Sequence, residues 1–136
     1  MDFTIRDQIR ISLPPEKVFS ALTNSQELTR WWPKACTSNA QIGGSLVFHW
    51  FNGSTLSTVY DTLEVDKKVS YAFGDERVTF VLTESEENTG VFVEHSGIRS
   101  EKAQEHGNHI AQSWAFLLCN LKSVLEKDWD LRPYKL

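Results

Sequence analysis

Apolar and polar residues alternate through the first stretch of the chain. Phe3, Ile5, Ile9 and Ile11 take odd positions with Arg6, Gln8 and Arg10 between them, and Asp7 breaks the pattern once. Period two over this length predicts a half-buried strand. Leu13-Pro14-Pro15-Glu16 ends it, since proline cannot donate to a ladder while its fixed φ suits a first helical turn. Val18, Phe19 and Leu22 recur at helical spacing and predict a short helix over about 15–23. Asn24, with Glu27 three residues on, is a capping signal for a second short helix over about 25–31, closing near Trp31-Trp32-Pro33.

The middle of the chain carries strand signals. Gly43-Gly44 is a turn, residues 46–51 form a strand candidate, and Asn52-Gly53 is a strong hairpin turn. Leu56 to Val65 follows, then a turn at Asp66-Lys67-Lys68. Val69, Tyr71 and Phe73 alternate with Ser70 and Ala72, and Gly74-Asp75-Glu76 turns the chain again. Val78, Phe80 and Leu82 share one face of the next strand. After a polar loop, Val91, Val93 and His95 share one face, with Phe92, Glu94 and Ser96 on the other, and Gly97 is expected to end the run. Short strands with tight turns in sequence predict an antiparallel meander.

Residues about 103–128 contain no proline. There Ile110, Trp114, Leu117, Leu121 and Val124 form one helical stripe, widened by Ala111, Leu118 and Leu125. This is one long amphipathic helix, weakened in its first turns by Gly107. A sheet with one apolar face needs a cover, and this helix is the only element large enough to provide it. The two short helices can plug one end. The expected class is α+β, a curved antiparallel sheet of about six to seven strands around a long C-terminal helix.

Composition narrows the function. The chain has 136 residues, enough for one domain over 1–136, with a formal net charge of −4. An acidic balance argues against nucleic acid and against docking on anionic membranes. No stretch is apolar enough to span a bilayer, and the N-terminus has no signal-peptide pattern. Cys36 and Cys119, too few for a disulfide framework, read as free thiols in a reducing compartment, so a cytoplasmic location is expected. Aromatic residues make up 12% of the chain, including five tryptophans. Something here uses large, flat, apolar side chains.

The run Ile9-Arg10-Ile11-Ser12-Leu13-Pro14-Pro15-Glu16-Lys17-Val18-Phe19-Ser20-Ala21-Leu22-Thr23-Asn24 resembles the opening of the START-like (SRPBCC), helix-grip superfamily. Leu28-Thr29-Arg30-Trp31-Trp32, Gly43-Gly44-Ser45-Leu46, Val78-Thr79-Phe80-Val81-Leu82, His95-Ser96-Gly97 and the helix from Trp114 to Leu125 continue the likeness over nearly the whole chain. Within the superfamily the chain is most similar to homologues of the activator of heat-shock protein 90 ATPase. The resemblance implies a helix-grip fold. It also implies three kinds of role: a small-molecule carrier, a chaperone-contacting module, or a cyclase- or hydrolase-like enzyme.

Trp32, Phe48, Trp50, Tyr60, Tyr71, Phe73, Phe80 and Trp114 are the candidate lining of an apolar pocket between sheet and helix, with Tyr hydroxyls and Trp N–H groups as polar anchors. His95, at the end of an apolar strand face, is a candidate orienting group for the same ligand. The competing expectations are a filled aromatic core and a histidine that satisfies a buried hydrogen bond. An acid–base role for His95 with Tyr60 or Tyr71 is the enzyme alternative, although no recognisable catalytic set stands out. Glu105, His106 and His109 fall short of a closed zinc site, and no phosphate loop is present, so neither metal nor cofactor is expected. Phe116 and Cys119 fall off the main helical stripe, and Trp129 and Tyr134 add apolar surface in the tail. Such a patch fits a homodimer contact through the back of the helix at Phe116.

Overall fold

A strand, two short helices, a run of strands and a long helix follow one another along the chain. The computed structural model describes residues 2–134. The elements are β1 (Asp2–Ile11), α1 (Pro15–Thr23), α2 (Ser25–Leu28), β2 (Ala35–Ser38), β3 (Ser45–His49), β4 (Thr55–Glu64), β5 (Lys68–Phe73), β6 (Glu76–Ser85), β7 (Asn88–Arg99) and α3 (Ser100–Lys127). The seven strands form one sheet in the order β1-β7-β6-β5-β4-β3-β2, with every pairing antiparallel. From β2 to β7 this is a meander, and β1 closes it by pairing with the last strand. It is the curved sheet and long helix of the helix-grip class. No described helix is long and apolar enough to cross a membrane.

The inner face of the sheet follows the alternation of the sequence. Leu46 and Phe48 of β3, Tyr60 of β4, Val69 and Tyr71 of β5, Val78, Phe80 and Leu82 of β6, and Val91, Val93 and His95 of β7 are buried. Trp114, Leu117, Leu118, Leu121 and Val124 of α3 cover them. Burying a large apolar side chain is worth about 1.5–3 kcal/mol, which is why these positions set the register. Two α3 side chains also stitch the helix to the end of β1: Lys122 donates to the Arg10 carbonyl, and Glu126 accepts from the Ser12 N–H at 2.8 Å.

Several boundaries differ from the sequence expectation. The second helix ends at Leu28 rather than near Trp31. Asn24 caps it as expected, accepting from Gln26 N and Glu27 N at 3.0 and 3.1 Å. Glu27 does not complete a capping box but pairs with Arg30 at 2.8 Å. β2 has no signature in the sequence, because Ala35-Cys36-Thr37-Ser38 is an edge strand of small residues with no apolar alternation. Gly97 does not end the meander. Phe3 pairs with Ile98 and Ile5 with His95, so β7 carries an extra residue there, and Gly97 supplies the left-handed φ of +75° that such a bulge requires. α3 then starts at Ser100, earlier than about 103. Asn52-Gly53 is not a two-residue turn, because β3 stops at His49 and Trp50 N bonds the Ser54 carbonyl at 2.9 Å. That longer loop frees Trp50 and Phe51 from the sheet.

Candidate functional site

The aromatic residues assemble into one continuous cluster. Trp32 is its hub, with ring centroids 4.9 Å from Phe48, 5.8 Å from Trp50, 5.9 Å from Phe73, 6.1 Å from Phe80 and 5.2 Å from Trp114. Phe48 stacks on Trp50 at 5.1 Å, and Tyr60 meets Tyr71 edge-on at 6.0 Å. Such pairs add about 0.5–1.5 kcal/mol each beyond area burial. Phe48, Tyr60, Tyr71 and Phe80 are fully buried. Rings, rather than open space, occupy this part of the interior.

An open space lies beside this cluster. A cleft of about 610 Å³ is walled by Trp32, Trp50, Phe51, Asn52, His109, Gln112, Ser113, Phe116, Leu117 and Tyr134. Of the sequence-stated lining, Trp32 and Trp50 reach this cleft. Phe48, Tyr60, Tyr71, Phe73, Phe80, His95 and Trp114 do not line it. The β3–β4 loop supplies one wall, the middle of α3 a second and the tail after α3 a third. His109, Gln112, Ser113 and Phe116 stand at i, i+3, i+4 and i+7, so one face of α3 fronts the cleft. That spacing was legible as a second, mostly polar stripe. Phe51 and Asn52 were visible only as part of a strand and turn, and Tyr134 sits in a tail with no periodicity to mark it.

The tail is held by Arg132, which is only 5% exposed. Its guanidinium donates to the carbonyls of Thr29 at 2.8 Å, Trp32 at 3.0 Å and Pro33 at 3.2 Å. It also forks onto the Asp130 carboxylate, with Nη2 at 2.7 Å from Oδ2, and lies 5.3 Å from the centroid of Phe51. Asn120 of α3 clamps the same segment, donating to Asp130 at 3.1 Å and accepting from Leu131 N at 2.7 Å. Burial works to raise the Asp130 carboxyl, but the Arg132 and Asn120 hydrogen bonds outweigh it and hold it well below the usual carboxylate range. Tyr134 then meets Phe51 edge-on at 5.2 Å at the cleft wall.

His95 sits in a separate polar chain behind the cluster. The Trp114 indole N–H donates to His95 Nδ1 at 2.9 Å. An indole nitrogen can only donate, so Nδ1 is the acceptor and Nε2 carries the proton. Nε2 faces Glu76 Oε1 at 2.7 Å, and Lys102 Nζ donates to Glu76 Oε2 at 2.6 Å. Burial works to raise the Glu76 carboxyl, yet the Lys102 and His95 hydrogen bonds outweigh it and lower it. Both ring nitrogens are therefore engaged. β6 puts Glu76 on the face of Val78, and Val78 pairs with His95, so Glu76 is its diagonal neighbour; within the expected Gly74-Asp75-Glu76 turn it carried no sign of this, because the strand register sets the pairing.

At the far side of the cluster, the Tyr60 hydroxyl bonds Ser38 at 2.6 Å, and burial pushes it up to about 12. Burial pushes the Cys36 thiol up to about 11, which suits an inert thiol rather than a nucleophile. The Tyr71 hydroxyl is sealed from solvent without a hydrogen-bond partner, and burial raises it well above its ordinary value. His106 approaches Glu105 at 3.6 Å on the exposed start of α3, whereas His109 faces the cleft.

Comparison with known proteins decides the family. The family model described as activator of Hsp90 ATPase homolog 1-like protein matches residues 12–126. The chain belongs to that family. Its fold is shared with the Aha1 dimer from Colwellia psychrerythraea at 26% identity and a TM-score of 0.82, over 92% of this chain and 97% of that one. Protein MLL2253 from Mesorhizobium loti is similar at 25% identity and a TM-score of 0.82, over 95% of this chain and 100% of that one. Protein SSP2350 from Staphylococcus saprophyticus, at 18% identity and a TM-score of 0.85 over 96% of both chains, shares the fold. No curated protein matches the sequence. Membership in the activator of Hsp90 ATPase homolog 1-like family agrees with the likeness read from the sequence, and the helix-grip arrangement it implied is the one observed.

Proposed function

We propose that this protein binds a small hydrophobic or aromatic molecule in the cleft between α3, the β3–β4 loop and the tail. One observation carries the reading: an open, aromatic-walled space of about 610 Å³ stands against a rigid aromatic cluster. That volume falls within the range of about 300–1,000 Å³ usual for small-molecule sites. Trp32 and Trp50 touch the ligand. Phe48, Phe73, Phe80, Trp114, Tyr60 and Tyr71 hold those two rings in place from behind. His95 serves that scaffold through Trp114 and Glu76, which accounts for its hydrogen bonds without an acid–base role. Native mass spectrometry of untagged protein, followed by denaturing extraction, tests the proposal. A retained small hydrophobe that Trp50→Ala and Phe116→Ala both reduce supports it. A retained molecule indifferent to both changes places the site elsewhere.

A second reading rests on the surface next to the cleft and on the relative from Colwellia psychrerythraea, which is described as a dimer. Trp129, Leu131 and Tyr134 are 67%, 42% and 54% exposed on a tail that runs back along α3, and Phe116 is half-buried beside it. This apolar strip supports self-association through the back of α3, or contact with a chaperone of the kind the family description names. Sedimentation of the parent and of Phe116→Asp tests self-association, and pull-down from cell extract with the same two proteins tests the chaperone contact. A dimer that survives the substitution removes Phe116 from the interface.

A further inference from the structure

The four tryptophans outside the exposed tail divide into two pairs. Trp31 donates its indole N–H to the Ala21 carbonyl at 2.8 Å, and Trp114 donates to His95 at 2.9 Å. Trp32 and Trp50, the two that line the cleft, have no acceptor for their indole N–H among the described residues. Trp32 is only 6% exposed. Its N–H is nevertheless not sealed, since the Tyr71 hydroxyl is the one side-chain polar atom among the described residues that is both enclosed and unpartnered. Trp32 keeps little surface, and it is part of the cleft wall. A nearly buried indole that leaves its donor unmatched in a binding space invites an acceptor from the ligand.

The rest of the wall does not oppose an acceptor. It contains no Asp, Glu, Lys or Arg. Asn52, Gln112, Ser113 and Tyr134 can each donate or accept there, and His109 can do either according to its tautomer. A fixed cation, the Arg132 guanidinium, already lies over the Phe51 ring of this wall. Aromatic walls without charge can also hold a cation through ring faces. Here one face of Trp50 is covered by Phe48 at an interplanar angle of 8°, and the Phe51 ring already carries Arg132. The faces are largely engaged, while the donor edges are unmatched.

We infer that the cleft selects flat aromatic molecules bearing a carbonyl or carboxylate acceptor on one edge, received by the indole N–H groups of Trp32 and Trp50, and that it disfavours aromatic cations. This rests on the ligand-binding reading above and names the ligand's chemistry. A matched naphthalene series tests it by calorimetry and quenching of tryptophan fluorescence: 2-acetylnaphthalene, 2-naphthoate, 2-methylnaphthalene and 2-naphthylmethylammonium. The two acceptor-bearing probes should bind about tenfold more tightly than the methyl compound, the gain expected for matching a stranded donor, and the ammonium most weakly. Trp50→Phe, which keeps a ring but removes the donor, should reduce that preference at least threefold while leaving the methyl compound within twofold. Equal affinity across the series, or tightest binding of the ammonium, overturns this inference and leaves the ligand-binding reading standing. Failure of all four probes to bind overturns both. If Trp50→Phe proves unstable, the indole N–H resonances of Trp32 and Trp50 in the parent protein are the readout, and shifts no larger with 2-acetylnaphthalene than with 2-methylnaphthalene also overturn the assignment.

Discussion

Replacing Arg132 tests whether the tail is a built wall of the cleft. The side chain is buried and makes hydrogen bonds to three carbonyls and to Asp130. Each hydrogen bond to a charged group is worth about 1.5–3 kcal/mol net, but these share one side chain and do not add. Removing one partner of a buried pair costs about 3–5 kcal/mol when the other stays buried. In Arg132→Ala the segment from Asp128 can detach locally, so Asp130 and the carbonyls of Thr29, Trp32 and Pro33 regain water, which limits the loss. The expected cost is about 2–4 kcal/mol, a fall in Tm on the order of 10 °C for a chain of this size. Arg132→Lys keeps the charge but offers one compact donor head in place of a planar fork, so it should recover less than half of the loss. Urea and thermal unfolding measure both. A loss under about 0.5 kcal/mol for Arg132→Ala, or full recovery by lysine, would refute the reasoning.

Trp114→Phe keeps the ring but strips His95 Nδ1 of its donor, and should cost about 1–3 kcal/mol in urea unfolding. Phe80→Trp overfills a fully buried site and should cost about 1–3 kcal/mol without changing affinity for a ligand held in the cleft; a loss of binding at unchanged stability would move the site inward. Gly107→Ala should stabilise α3 by about 1 kcal/mol, since a Cβ there meets only the Ala103 Cβ at 4.0 Å. Gly44→Ala should prevent normal folding, because its Cβ would lie 2.0 Å from the Asn39 carbonyl oxygen; circular dichroism and solubility report both variants. Asp130 and Glu76 are both held below their ordinary values, so their stabilisation is complete above the usual carboxylate pKa and lost as pH falls through the lowered one. Asp130→Asn should therefore flatten the acid limb of the stability profile below about pH 4, and an unchanged limb would contradict the Arg132–Asp130 account.

The sequence carried the sheet and the long helix because both bury one face. Val78, Phe80 and Leu82, or Trp114, Leu117 and Leu121, can satisfy burial only at their own period. β2 and the extension of β7 past Gly97 left no such trace, since their residues are small or the pattern is interrupted by a bulge. The aromatic set was legible by type, yet type alone could not separate rings that wall a space from rings that fill it. Trp32 and Phe48 differ in role only through the loop geometry around Trp50 and the clamp at Arg132. A buried arginine in a tail has no periodicity to betray it, so the third wall of the cleft became visible only with the fold.

The five tryptophans make the central claim directly measurable. Their indole N–H resonances, assigned by single Trp→Phe variants, can be followed in a nitrogen–proton correlation spectrum during titration with 2-acetylnaphthalene. The account predicts saturable shifts of the Trp32 and Trp50 signals while Trp31, bonded to Ala21, stays fixed. Shifts confined to Trp31 and Trp114, or to the exposed Trp129, would contradict it.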